Sequence, residues 1–285
     1  MRLVAARGAR VAVREWGAAD AAPVLFWHAL GPAASGETVA EVAPAFVERG
    51  FRILAVDGPG FRESPVLPPD RYELPALVEL VDAVTVQLGL TRFVFIGHSW
   101  GGSIAVHYAA RRPERVQALV LLDSGHIDYG GLPDADATRP LEEWIAEARE
   151  RTWCWPSEQR FEDELREAVQ RWSPELLRAY RAGTHRESGA LVGSSPEARG
   201  AAFHGLAVAR QSDAWPRLRE ARIPTLLLLA TLAPHVDVNE RLVTRFTQAL
   251  PHADVRWVPD AGHALLADVG PPLGEDIAAW LASVA

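Results

Sequence analysis

Residues 93–102 read Phe93-Val94-Phe95-Ile96-Gly97-His98-Ser99-Trp100-Gly101-Gly102. An apolar run from Phe93 to Ile96 meets a serine bracketed by glycines, and a helical pattern opens at Gly102 and runs to Arg111. This is G-x-S-x-G at a strand-to-helix junction. A nucleophile on so sharp a turn needs neighbours without Cβ atoms, so that strand and helix pack closely while the hydroxyl projects outward. The helix N-terminus behind it favours negative charge developing nearby. The pentapeptide also occurs by chance in Gly-rich turns. Its place between strand and helix, with a further glycine behind it, makes Ser99 the candidate nucleophile.

On either side of this junction, short β-branched or aromatic runs alternate with amphipathic stretches, which predicts βαβ units feeding a mostly parallel sheet. Strands are expected at Arg10 to Glu15, Val24 to Trp27, Arg52 to Val56, Arg92 to Ile96 and Ala118 to Leu122. Helices are expected at Glu37 to Glu48, Leu74 to Leu88 and Gly102 to Arg111. After Asp123 the alternation stops: Asp134 to Trp215 shows helical segments, no convincing strand, and Trp144, Trp153, Trp155, Trp172 and Trp215. Strand and helix order resumes with Thr225 to Ala230, a helix near Val238 to Leu250, a strand Asp254 to Val258 and a last helix from about Glu275 to Val284. The expected organisation is a core of residues 1–128 and 213–285, interrupted by an all-helical cap at residues 129–212. No internal repeat or low-complexity tract is present.

The chain has 285 residues, 48% hydrophobic and 23% charged, the make-up of a soluble globular protein of about one to two domains. Its longest apolar run falls far short of the roughly 20 residues of a membrane span, so no membrane partner is expected. Arg2, Arg7, Arg10 and Arg14 interrupt the N-terminal apolar residues, so no secretory signal is expected. The single cysteine, Cys154, between two tryptophans, reads as packing, and a reducing cytoplasm is the expected location. A net charge of −8 opposes nucleic-acid binding, which draws on clustered cations. Every basic residue is arginine. The absence of lysine removes Schiff-base chemistry, a pyridoxal-phosphate anchor and a Walker-type P-loop. No histidine or acid pair has metal-ligand spacing with a further partner, so neither metal nor organic cofactor is expected, and the partner is a small-molecule substrate.

A serine hydroxyl needs a base, and that base must be a histidine returned by the fold. Of the nine histidines, His263 lies on the loop after the last strand, where ligands of open α/β sheets bind, beside a glycine that lets the loop turn tightly. His98 is expected to face away from the site. His107 is inside a helix, and His185, His204 and His252 fall in cap or surface segments.

With Ser99 and His263 in this order, the chain resembles the α/β-hydrolase superfamily over roughly Arg10 to Asp128 and Pro224 to Ala285, the middle segment corresponding to that family's variable cap. The resemblance implies an oxyanion hole made of the Trp100 N–H and a second N–H from the loop after an early strand. That loop usually begins His-Gly. Here it reads His28-Ala29-Leu30-Gly31, which departs from the pattern at Ala29 and makes Leu30 the expected second donor. Asp57-Gly58-Pro59-Gly60-Phe61-Arg62-Glu63-Ser64 resembles the family's Asp-x-Pro-Gly-x-Gly-x-Ser turn, with Arg62 where glycine is common; a structural role is expected for it.

The third member of the triad is less direct. The family usually places its acid a few residues beyond the strand that here is Thr225 to Ala230, but Pro234 stands near that position. Some relatives carry the acid after the strand that follows the nucleophile helix, where this chain has Asp123. Asp123 is the expected acid, Asp237 the alternative, and an incomplete triad the third reading; an Asp ending a strand also simply caps turns.

The ten tryptophans are read first as cap packing and second, with Trp27 and Trp100, as the lining of a large apolar pocket. Arg171, Arg178, Arg181 and Arg186 are interleaved with glutamates and read as a solvated face. The resemblance implies hydrolysis of an ester-type or lactone-type bond of a small, fairly apolar molecule through an acyl-enzyme. Thioesterase, C–C bond hydrolase and small-residue peptidase activities use the same triad, and a haloperoxidase-like side activity belongs to the same set. An epoxide hydrolase or haloalkane dehalogenase on this fold would need aspartate at position 99. The reading from another class is a non-catalytic ligand-binding protein of the same fold.

Overall fold

The computed structural model describes residues 1–132, 135–151, 153–232 and 236–284, and the side chains of these except 236–239. Eight strands form one sheet: β1 (Arg2–Ala6), β2 (Ala9–Trp16), β3 (Ala22–Trp27), β4 (Phe51–Val56), β5 (Phe93–His98), β6 (Val116–Leu122), and, after an insertion carrying three short strands, β7 (Cys154–Trp155), β8 (His185–Glu187) and β9 (Ala190–Val192), β10 (Thr225–Ala230) and β11 (Asp254–Val258). Their order is β1-β2-β4-β3-β5-β6-β10-β11. The first two pairings, β1 with β2 and β2 with β4, are antiparallel and the rest parallel. The fold class is therefore the expected one, a mostly parallel sheet flanked by helices.

The central strands read as continuous apolar runs because both of their faces are covered. All six residues of β5 are buried. Phe93 and Phe95 point to the side covered by α2 (Leu74–Gln87), α3 (Trp100–Arg111) and α8 (Trp215–Ala221), and Val94 and Ile96 to the side of α1 (Ala43–Val47), α10 (Leu265–Val269) and α11 (Pro271–Val284). α9 (Val236–Ala249) connects β10 to β11. Register aligns the carboxyl ends of the parallel strands, Trp27 opposite Gly97 and His98 opposite Leu122. The loops after β3, β5, β6, β10 and β11 therefore open at one edge.

Three local differences from the sequence reading have physical causes. β1 was not expected; it pairs with β2 through a two-residue turn in which Arg7 and Gly8 both have positive φ, 49° and 77°, as a tight hairpin requires. The single helix expected over Glu37 to Glu48 is a 3₁₀ turn, Gly36–Val39, followed by α1, because Pro44 lacks the N–H that a continuous helix would use. The inserted region is mostly helical, with α4 (Leu141–Glu150), α5 (Glu158–Ala168), α6 (Pro174–Arg181) and α7 (Pro196–Val208), but it is not all helix. β7 (Cys154–Trp155), β8 (His185–Glu187) and β9 (Ala190–Val192) form a small antiparallel sheet. Strands of two or three residues are too short to show alternation. Among the described residues no helix is long and apolar enough to cross a membrane.

Candidate active site

Ser99 occupies the turn between β5 and α3 with φ 53° and ψ −113°, a backbone conformation that costs a non-glycine residue free energy. The surrounding glycines leave no room for side chains. A Cβ on Gly97 would overlap the Gly101 carbonyl, and one on Gly102 the Ser124 hydroxyl. The turn is pinned by Ser99 N–H to the Leu122 carbonyl at 3.1 Å and Gly101 N–H to the His28 carbonyl at 3.2 Å. Trp100 is the first residue of α3, so its N–H belongs to the helical turn without intrahelical acceptors. Leu30, after β3, faces the same cavity as Ser99. Among the described residues neither of these two N–H groups has a protein acceptor.

Asp123 follows β6 directly, is 4% exposed, and also has positive φ, 47°. Its N–H donates to the Leu228 carbonyl at 2.7 Å, and its Oδ1 accepts the Ala230 N–H at 3.2 Å, so the neighbouring strand β10 fixes both ends of the residue. Oδ2 lies 2.6 Å from Nδ1 of His263. Burial works to raise the Asp123 pKa, but the hydrogen bond and charge of His263, with the Ala230 N–H, hold it below the usual carboxylate value. An ionised carboxylate on Nδ1–H leaves Nε2 of the imidazole as the acceptor. Ser99, Asp123 and His263 line one cavity together. The alternative acid, Asp237, lies in α9 with its side chain outside the described residues, and Pro234 falls outside them altogether.

His98 does not face away from this group. It is 6% exposed, lines the cavity, and donates from Nε2 to the His263 carbonyl at 2.7 Å. Burial above all lowers its pKa to about 3, so it is a neutral brace. Periodicity places residue 98 beside the nucleophile but does not show which loop returns to it. Tyr129, in a 3₁₀ turn at Tyr129–Gly131, also lines the cavity. Burial, and after it the charge of Asp123, push its pKa up to about 12.

Behind the Leu30 loop, His28 is fully buried, with its pKa lowered by burial to about 4; its Nδ1–H donates to the Ala29 carbonyl at 2.7 Å and its Nε2 accepts the Gly58 N–H at 2.8 Å. Asp57 is buried too. Burial raises its pKa to about 6, partly offset by the Gly36 N–H and the charge of Arg14. Ser64 Oγ donates to the Asp57 carbonyl at 2.6 Å and accepts the Ala12 N–H at 2.9 Å, so the 57–64 turn braces the loops beside the cavity. Arg62 adopts φ 49°, the backbone that a glycine at this place would take without cost.

The cavity encloses about 590 Å³, within the range of small-molecule sites. Its walls are mostly apolar: Leu30 and Ile127 on the core side, Leu132, Trp155, Phe161 and Leu165 on the inserted side. Trp155 is the tryptophan of this wall; its Nε1–H donates to Glu164 at 2.6 Å. Trp27 and Trp100 are fully buried instead, edge to face at 5.7 Å beneath the site. Trp144, Trp153 and Trp172 lie under the guanidinium groups of Arg139, Arg199 and Arg166. Arg171, Arg178, Arg181 and Arg186 all pair with glutamates away from the cavity lining. Among the described residues no cluster of three or more potential metal ligands is present.

The chain belongs to the alpha/beta hydrolase fold family, whose sequence model matches residues 22–268. It is 45% identical over 83 residues to bifunctional epoxide hydrolase 2 of Sus scrofa, covering 28% of this chain and 15% of that protein. It is 36% identical over 117 residues to a 2-hydroxy-6-oxononadienedioate/2-hydroxy-6-oxononatrienedioate hydrolase of Pseudomonas sp, covering 40% of each. The chain thus matches less than half the length of these curated relatives. Among solved structures it resembles E-2-(acetamidomethylene)succinate hydrolase, with a TM-score of 0.80, 19% identity, and coverage of 99% of this chain and 98% of that one. At that identity the likeness is one of fold.

Proposed function

We propose that this chain is a serine hydrolase that cleaves an ester-type or lactone-type bond of a small, uncharged, largely apolar molecule through an acyl-enzyme. The observation that carries the reading is the 2.6 Å contact between Asp123 and His263 in the cavity that Ser99 also lines. In this reading Ser99 Oγ attacks the carbonyl carbon and His263 Nε2 takes its proton. Asp123 keeps the proton on Nδ1 and favours the imidazolium that forms. The Leu30 and Trp100 N–H groups receive the oxyanion. The tetrahedral intermediate collapses as His263 returns the proton to the leaving oxygen, and the same imidazole then activates water against the acyl-enzyme.

The cavity narrows the alternatives. The Pseudomonas relative and the solved hydrolase are named for dicarboxylates. No arginine is among the described residues lining this cavity, and the charged wall residues Glu164 and Asp123 are acidic. A carboxylate entering here would lose hydration without a cationic partner. The name of the porcine relative does not transfer either, since an epoxide hydrolase on this fold would need aspartate at position 99. Neutral ester and lactone substrates suit these walls better than a dianionic C–C hydrolase substrate.

Intact mass after incubation with a fluorophosphonate tests the reading directly. A single adduct on wild type is expected. It should vanish in Ser99→Ala, and its rate should fall by about 10³-fold or more in His263→Ala and Asp123→Asn. Hydrolysis of p-nitrophenyl butyrate should far exceed that of a p-nitrophenyl succinate monoester. An unlabelled wild type would overturn the mechanism and leave a binding protein; a preference for the charged ester would overturn the substrate class.

A further inference from the structure

Asp268 was not singled out by any motif, yet it joins two parts of the cavity wall that are distant in sequence. It sits on the short helix after His263, 8% exposed. Its Oδ2 accepts the N–H of Gly262, the residue before His263, at 2.8 Å. Its Oδ1 accepts the N–H of Gln170, in the connection between α5 and α6, at 2.9 Å. Ala168 and Val169, immediately before Gln170, line the cavity together with His263 and Ala264. One buried carboxylate therefore uses one oxygen on the histidine's loop and the other on the inserted wall.

The wall segment is seated on the core at a second point. Arg171 forms a bidentate pair with Glu41, and Ser173 Oγ donates to the same carboxylate at 2.8 Å. Gly270, at the end of α10 with φ 70°, leaves the space that the Arg171 guanidinium fills; a Cβ there would overlap it. Residues 170–173 thus rest in a cradle built by Glu41, Asp268 and Gly270. The His263 loop has its own fixed points in the His98 bond to the His263 carbonyl and the Asp123 bond to Nδ1. Asp268 links these two sets.

We propose that Asp268 is a positioning residue for His263, and that through it the placement of the imidazole depends on the seating of the 168–173 wall. The inference rests on the reading of Ser99, His263 and Asp123 as a triad. Both acceptors must be carboxylate oxygens: in an asparagine one end is an NH₂ donor that would face a backbone N–H, so one of the two links is lost. Small displacements of a catalytic base cost rate steeply.

The test measures labelling by a fluorophosphonate with the shortest alkyl group, chosen to limit contact with the inserted wall, together with kcat and KM on p-nitrophenyl butyrate. Asp268→Asn should slow labelling and lower kcat by about tenfold to a hundredfold with KM within about twofold. Asp268→Glu, which restores both acceptors, should recover part of the loss. Arg171→Ala breaks the seat without touching the histidine loop, and should slow labelling several-fold in wild type but add little in the Asp268→Asn background. Should Asp268→Asn not fold, Arg171→Ala alone still decides, because a wall without influence on His263 leaves the small probe's rate unchanged. Wild-type labelling rates in both single variants would overturn this inference while the triad stands. An unlabelled wild type would instead remove the triad reading on which it rests.

Discussion

Ser99 and Asp123 both hold φ near +50° without being glycine, and each pays about 1–3 kcal/mol for a conformation that turns its side chain to the common edge of the sheet. Ser99 gains nothing back as a helix cap, since its side chain makes no capping hydrogen bond to α3. Relieving that strain should therefore stabilise the protein while abolishing chemistry. Ser99→Gly is expected to raise the unfolding free energy by about 1 kcal/mol, and Tm by about 2 °C for a chain of this size, with no fluorophosphonate adduct. Differential scanning calorimetry of the two proteins reads this; an unchanged or lowered Tm would mean that the turn is not strained by its serine. Ser99, Asp123 and His263 were legible as candidates because a residue's identity and its place at a strand end are written in the chain. Asp123 is expected over Asp237 on the family resemblance alone, because which strand lies beside which is not written in either residue's neighbourhood. The order β5-β6-β10-β11 brings the loop after β6 to the histidine's loop. His98, Tyr129 and Asp268 were missed for the same reason: each acts through a loop more than 25 residues away or through a cavity that only the folded chain encloses.

The long elements are legible in the sequence, since a buried parallel strand or a fourteen-residue helix such as α2 carries many residues of pattern. Elements whose pattern is short, or where local chemistry overrides it, are not legible in this way. β1 is paired by a hairpin whose first turn residue is arginine, and Pro44 divides one amphipathic stretch into two. The inserted wall is the most consequential case. Trp155 belongs to a two-residue strand, packs edge to face on Phe161 at 4.9 Å, and lines the cavity together with Leu30 and Ile127. If this wall receives the acyl group, shortening it must change the preferred chain length. Trp155→Leu is expected to raise kcat/KM for p-nitrophenyl octanoate relative to p-nitrophenyl acetate by about tenfold, a methylene in an apolar pocket being worth about 1 kcal/mol or more. A ratio equal to that of wild type across the acyl series would take the β7–α5 wall out of contact with the acyl chain and assign it to the leaving group or to packing alone.

Across the whole molecule, the groups that brace the site also set how stability responds to acid. His28 and His98 are buried neutral, with pKa values lowered to about 4 and about 3. In the unfolded chain both titrate near 6.5. Their contribution is present above that value and is lost as pH falls towards the folded values, because the unfolded state takes up two protons that the native state refuses. Asp57 runs the other way. Its folded pKa of about 6 lies above its unfolded one, so its contribution is present at low pH and is lost as pH rises from about 4 to about 6. Between pH 7 and pH 5 the two histidines together cost somewhat under about 4 kcal/mol, and protonation of Asp57 returns somewhat over about 1, a net loss of about 2 kcal/mol from these three groups. Urea unfolding at the two pH values measures it. The decisive comparison is His28→Gln, which removes one titrating group at the core side of the Leu30 loop while leaving Ser99, Asp123 and His263 in place. Its loss between pH 7 and pH 5 should be smaller than that of wild type by about 2 kcal/mol, whatever its stability at pH 7. If the two proteins lose the same amount, His28 is not the buried neutral imidazole that holds Gly58 to the Leu30 loop, and the acid sensitivity must reside elsewhere in the chain.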